Sequence, residues 1–237
     1  REVQTDLTQR ARNAEEPWID YVVGVADELA KLGKPLHGAD VLIVGDVPIG
    51  AGLSSSASLE MAALVLFEKL GGFHIEGPAG PQLGQRVENQ FLDLNSGIMD
   101  QFIVRMGRKN HVLFLDCRSH AYELVPAALP NAAFVIADTA VSRGLTGSKY
   151  NERVSECREA VAAMVKRLGR PGMHLRDFTL EDLDASRNEM TEVVYRRARH
   201  IITETARTEQ ACAALRAGDS IALGGLMNGS DASLKDD

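Results

Sequence analysis

Pro48-Ile49-Gly50-Ala51-Gly52-Leu53-Ser54-Ser55-Ser56-Ala57-Ser58 joins an apolar run to the start of an apolar helix and holds the densest local pattern in the chain. Its glycines permit positive φ and let backbone approach a ligand closely. The first turn of a helix has free N–H groups and a partial positive charge, so it attracts an anion. Serine hydroxyls there can bind phosphate oxygens or complete the oxygen shell of Mg²⁺. The stretch is not a P-loop, because no Lys follows Gly52, nor a dinucleotide fingerprint, because Ser55 stands where a third glycine belongs. Spacing alone leaves two readings open: a phosphate cradle, or a buried helix whose serines serve as N-caps.

Upstream of this stretch, Val41-Leu42-Ile43-Val44 predicts a strand. Before it, apolar residues at Ile19, Val22, Val23, Val25, Ala26 and Leu29 predict an amphipathic helix over 17–32, stopped near Gly33. Downstream, residues 54–70 predict a buried helix, apolar on nearly every side, and a further helix runs to about Leu94. His111 to Asp116 and Ala121 to Val125 predict a strand pair, and Phe134-Val135-Ile136-Ala137 another buried strand. From Lys149 onward helical patterns prevail; one ends at Gly218, with Asp219 or Ser220 capping the next. Strands early and helices late predict a mixed α and β chain with a joint near 126–130.

Composition narrows the function. The chain has 237 residues and a formal charge of −7, a poor balance for a protein that grips phosphate backbones through Lys and Arg. No apolar run approaches the ~20 residues of a membrane span, and Arg1-Glu2-Val3-Gln4 lacks the apolar core of a secretory signal. Cys117, Cys157 and Cys212 lie far apart, a usage that fits a reducing cytosol. The six histidines show no metal-binding spacing. Neither end reads as a natural terminus, so the expectation is a piece of a longer polypeptide.

Two carboxylates stand out for chemistry. Phosphoryl transfer needs a phosphate cradle, a charge-neutralising metal and a carboxylate facing the acceptor hydroxyl. Asp100 follows the loop Asn95-Ser96-Gly97 and sits inside Ile98-Met99-…-Phe102-Ile103. A carboxylate amid apolar neighbours is costly unless it is paired, bonded or functional. Glu88 lies in a predicted helix and, taken alone, reads as a solvated surface residue. Arg196, Arg197, Arg199 and His200 read as a solvated basic helix face. Trp18 can flank a base or pack in a core.

Taken together, these motifs resemble the galactokinase family of GHMP kinases. The loop 48–60 resembles that superfamily's ATP-binding loop. Gly97-Ile98-Met99-Asp100-Gln101, followed by Leu115-Asp116-Cys117-Arg118-Ser119, resembles the family's active-site segment. Ser148-Lys149-Tyr150-Asn151-Glu152-Arg153 is similar to a sugar-site segment, and Arg196 to His200 and Ser233 to Asp237 also match, in family order. The resemblance implies an α+β, two-lobed GHMP kinase fold, incomplete at both ends. Its N-terminal lobe, 1–128, would be of the ribosomal-protein-domain type, and 129–237 would begin a C-terminal lobe derived from the ferredoxin-like fold.

The resemblance further implies ATP-dependent phosphorylation of D-galactose at its anomeric hydroxyl, with ATP and Mg²⁺ required. By that likeness Gly50, Ala51, Gly52, Leu53, Ser54, Ser55 and Ser56 wrap the nucleotide phosphates. Ser56 and Glu88 hold Mg²⁺, Asp100 is the catalytic base, and Gly97, Asp100 and Tyr150 line the sugar pocket. It implies small-molecule substrates, no nucleic-acid or membrane partner, a monomer or weak dimer, and a cytoplasmic location. The alternatives are a kinase for another sugar, such as N-acetylgalactosamine or L-arabinose, and a sugar sensor without turnover.

The chain also departs from the family. No counterpart appears of the family's Glu-His-Thr-Asp segment with its assisting Arg, nor of its third, glycine-rich motif. Lys149 replaces an acidic residue before Tyr150, and Asp231 stands where His is common. The expectation is therefore that this stretch alone is inactive or turns over only feebly.

Overall fold

Helix α1 (Asp20–Lys31) follows a single 3-10 turn, Pro17–Ile19, where proline's fixed φ favours a helix start. Its inner face carries Val25, Ala26 and Leu29, and Gly33 at φ 67° ends it with the Lys34 N–H donating to Leu29 O. A computed structural model describes residues 2–127, 129, 132–137 and 148–237, with 148–150 described by backbone only. Two compact units emerge, one holding residues 2–109 and 113–124, the other 110–112 and 148–237 among its segments.

In the first unit α2 (Ser55–Gly71) is the central helix, with α1, α3 (Ala79–Arg86) and α4 (Met99–Met106) packed against it. The core joins Leu29, Met61, Leu64, Phe67, Leu83 and Val87. Beyond α3 the chain widens into a π-helical turn, Val87–Phe91. At Gly24 a Cβ would lie 2.5 Å from Val87 Cγ1, so α1 meets this turn closely enough to demand glycine. Strands β1 (His111–Leu115) and β2 (Tyr122–Pro126) form a hairpin across the turn at 117–119, the pair that the sequence predicts, with Val112, Phe114, Tyr122 and Val125 as the strand-favouring residues.

The second unit is helical: α5 (Ser148–Leu168), α6 (Leu180–Ala185), α7 (Glu192–Ala217) and α8 (Ser220–Asp236). Met164, Phe178, Leu183, Val194 and Ala198 make its core. Thr179 and Asp182 form a capping box on α6, and Asp219 caps α8 through its side chain, after Gly218 ends α7 at φ 68°.

Two predicted strands are absent. Residues 41–44 and 134–137 carry no regular structure, and Leu42, Val44 and Val135 are 88%, 84% and 86% exposed. Apolar content supplies a drive for burial, but a strand also needs a backbone to pair with. Among the described residues the sheet contains only β1 and β2. The basic run 196–200 is corrected too. Arg199 binds the Asp237 carboxylate, Arg197 binds Glu156 at 3.3 Å and the Asp237 carbonyl, and His200 Nδ1 lies 3.0 Å from Ser233 Oγ. These charges fasten α7 to α8 and α5 rather than facing only solvent.

Candidate active site

Through the loop before α2, φ alternates in sign. Gly50, Gly52 and Ser54 have φ of 78°, 74° and 61°, while Ile49, Ala51 and Leu53 are not in the positive region. Alternation of hand turns successive backbone N–H groups toward one concave side, the geometry of an anion nest. Ser54 is a non-glycine residue in this region, a conformation that costs roughly 1–2 kcal/mol. Its side chain makes no capping hydrogen bond, although it is the N-cap of α2. That weakens the reading of Ser54 as a side-chain cap of the first-turn N–H groups, which have no partner within the helix. The loop is largely exposed, with Ser54, Ser55 and Ser56 half-buried.

Glu60 follows Ser56 by four residues and so lies one turn further along the same face of α2. It is fully buried, and its carboxyl is pushed up to about 9. Burial is the main cause, the charge of Glu88 the next and that of Asp100 a lesser one, opposed by the hydrogen bond from Gln101. Glu88 and Asp100 are therefore both neighbours of this face of α2. Glu88 is only 5% exposed, which corrects the surface reading of it. The wide turn after α3 turns it inward. Asp100 is half-buried in the first turn of α4, whose N-cap is Ile98, so it is not the cap of that helix. Tyr21 of α1 faces the same group: burial, then Glu88, Glu60 and Asp20, raise its phenol above the ordinary value.

Gly97 is exposed in the loop before α4, whose geometry Asn89 sets by accepting from the Ser96 N–H at 2.9 Å. Tyr150 enters α5, but its side chain lies outside the described residues. Trp18 is half-buried, its indole N–H donating to Glu16 at 3.0 Å. Among the described residues no group of three or more His, Cys, Asp or Glu is arranged to hold a metal ion by itself. One hydroxyl and one carboxylate, Ser56 and Glu88, are nevertheless the hard-oxygen set that suits Mg²⁺, which takes its remaining ligands from water and phosphate. The two carboxyl groups whose charge is felt at Glu60, those of Glu88 and Asp100, also favour a cation there.

The sequence reading passed over Glu60, Gln101 and Tyr21. The signal for Glu60 was present: a carboxylate between Leu59 and Met61 in an apolar helix, the same pattern that singled out Asp100.

Residues 20–108 match the GHMP kinases N-terminal domain family. Over 98% of its length the chain is 43% identical to a galactokinase from a Roseiflexus species, of which it covers 58%. It is 39% identical, over its full length, to a galactokinase from Chloroflexus aurantiacus, of which it covers 60%. The crystal structure of Lactococcus lactis galactokinase complexed with galactose superposes with a TM-score of 0.85 at 36% identity, covering 99% of this chain and 61% of that one. The chain thus spans about three fifths of the length of these relatives. No helix among the described residues is long and apolar enough to cross a membrane. Residues 20–108 thus match the GHMP kinases N-terminal domain, and the chain is similar in sequence and fold to galactokinases along almost its whole length.

Proposed function

We propose that this protein transfers the γ-phosphoryl group of ATP to the anomeric hydroxyl of D-galactose, giving galactose 1-phosphate and ADP. The observation that carries the proposal is one helix face. A loop of alternating backbone hand opens α2, and Glu88 and Asp100 lie near that face one turn further on. In this reading Gly50 to Ser56 receive the phosphates through backbone N–H groups and serine hydroxyls. Ser56 and Glu88 would hold Mg²⁺, which when bound neutralises charge on the phosphate oxygens. Asp100 accepts the proton of the sugar hydroxyl, and Gly97 and Tyr150 border the sugar. Positioning and electrostatics do most of the work in phosphoryl transfer, so a base, a cradle and an acidic metal corner suffice. The division into an N-terminal lobe, 1–128, and the start of a C-terminal lobe, 129–237, belongs to the same proposal, as do a cytoplasmic location and a monomer or weak dimer.

The test is galactose-dependent ADP release, run beside N-acetylgalactosamine and L-arabinose. Turnover of galactose supports the reading, and turnover of another sugar alone moves the substrate. Calorimetric binding of sugar and ATP with no turnover converts the protein into a sensor. In an active preparation Asp100→Asn is expected to lower kcat by about 10²–10⁴, the usual worth of a positioned acid or base, with the far-UV spectrum unchanged.

A further inference from the structure

Gln101 follows the proposed base directly on α4, and it is fully buried together with Glu60 of α2. Its Nε2 donates to Glu60 Oε2 at 3.1 Å. Helix α3 seals the pair, since a Cβ added at Gly84 would lie 2.8 Å from Gln101 Cγ and 3.0 Å from Glu60 Oε2. Both side chains nonetheless keep an oxygen without a hydrogen-bond partner, Oε1 in each case. Buried polar groups left this way destabilise a fold, and two apolar side chains of similar volume would pack there at no such cost. The pair is therefore poorly explained as a stabilising contact.

What an apolar pair would not supply is register. Apolar contacts tolerate sliding, whereas one hydrogen bond between two short, sealed side chains sets the height of α4 against α2. That height is the separation between Asp100, in the first turn of α4, and Ser56, in the first turn of α2. We propose that Glu60 acts through Gln101 as a positioning residue, holding Asp100 in register with the phosphate-facing turn of α2. Neither side chain touches a substrate in this arrangement. The inference rests on the kinase reading above and deepens it.

The experiment measures kcat, both KM values and the thermal midpoint for Glu60→Gln, Glu60→Leu, Gln101→Met and the double variant Glu60→Leu/Gln101→Met. It uses a form of the protein that turns over galactose, the chain alone or with flanking sequence. A displacement approaching 1 Å in reacting groups lowers rate by about 10²-fold. Glu60→Leu and Gln101→Met are therefore each expected to lose roughly 10- to 100-fold in kcat, with KM for ATP and galactose within threefold of wild type. The double variant should be no worse than either single one, because both break the same contact. Glu60→Gln keeps a neutral partner of the same shape and is expected to stay within twofold of wild-type kcat. Should Glu60→Leu fail to fold, Gln101→Met and Glu60→Gln still decide the matter. Full kcat in Gln101→Met, multiplicative losses in the double variant, or a tenfold loss in Glu60→Gln would each overturn the inference. A wild-type protein inert toward every sugar overturns the kinase reading instead.

Discussion

Glu60 is a carboxylic acid that its surroundings keep neutral at physiological pH. Its value in the fold, about 9, stands far above the ordinary 4.5 that the unfolded chain restores. Between those limits the native state holds a proton that the unfolded state has released. The stabilisation is complete below about 4.5 and drains away as pH climbs toward 9, at roughly 1.4 kcal/mol per pH unit for one proton. Glu60→Gln removes that proton from the balance. Urea unfolding between pH 5.5 and 8.5 should show a shallower loss of stability in the variant, by about one proton equivalent. Identical slopes in the two proteins would mean that the Glu60 carboxyl ionises normally.

At the scale of elements, α4 is held to α2 twice. Beyond the Glu60 contact, Arg105 donates to Glu68 at 2.8 Å, and the same Glu68 oxygen accepts the Ile75 N–H at 2.8 Å. Arg105 also reaches Ile75 O at 3.2 Å, so one buried ion pair pins α4 and the 72–75 turn to the end of α2. Glu68→Ala removes the carboxylate partner of Arg105 and the acceptor of the Ile75 N–H at once, and an expected loss of about 3–5 kcal/mol follows. Chemical denaturation of the variant measures it, and a loss below about 1 kcal/mol would show the pair to be replaceable by water. Helix α1 was legible in sequence because its apolar residues repeat with a helical period, and α2 because a long apolar run follows a serine-rich start. The hairpin was legible because two short segments rich in apolar and aromatic residues flank a short turn. The inward turn of Glu88 was not, since it depends on a local widening of the helix after α3. The pairing of Arg199 with Asp237 was hidden for a different reason: its partner stands 38 positions away.

For the molecule as a whole, the bare apolar runs at 41–44 and 134–137 are a colloidal liability. Exposed apolar runs outside any sheet invite association with another chain. Leu42→Lys with Val135→Lys is expected to lower the apparent mass of the 237-residue chain in concentration-dependent light scattering, with little change in unfolding midpoint. An unchanged mass profile would show that these runs are inert. The same runs mark the limit of reading strands from composition, because the second half of a strand's identity is a neighbour outside any sequence window. The loop before α2 teaches the opposite lesson. Its shape is written in backbone handedness at Gly50, Gly52 and Ser54, so its grip would be blind to the nucleobase. Under the proposed kinase reading, any choice between adenine and guanine falls to other parts of the polypeptide, and inorganic tripolyphosphate is expected to compete at this loop as fairly as any nucleotide.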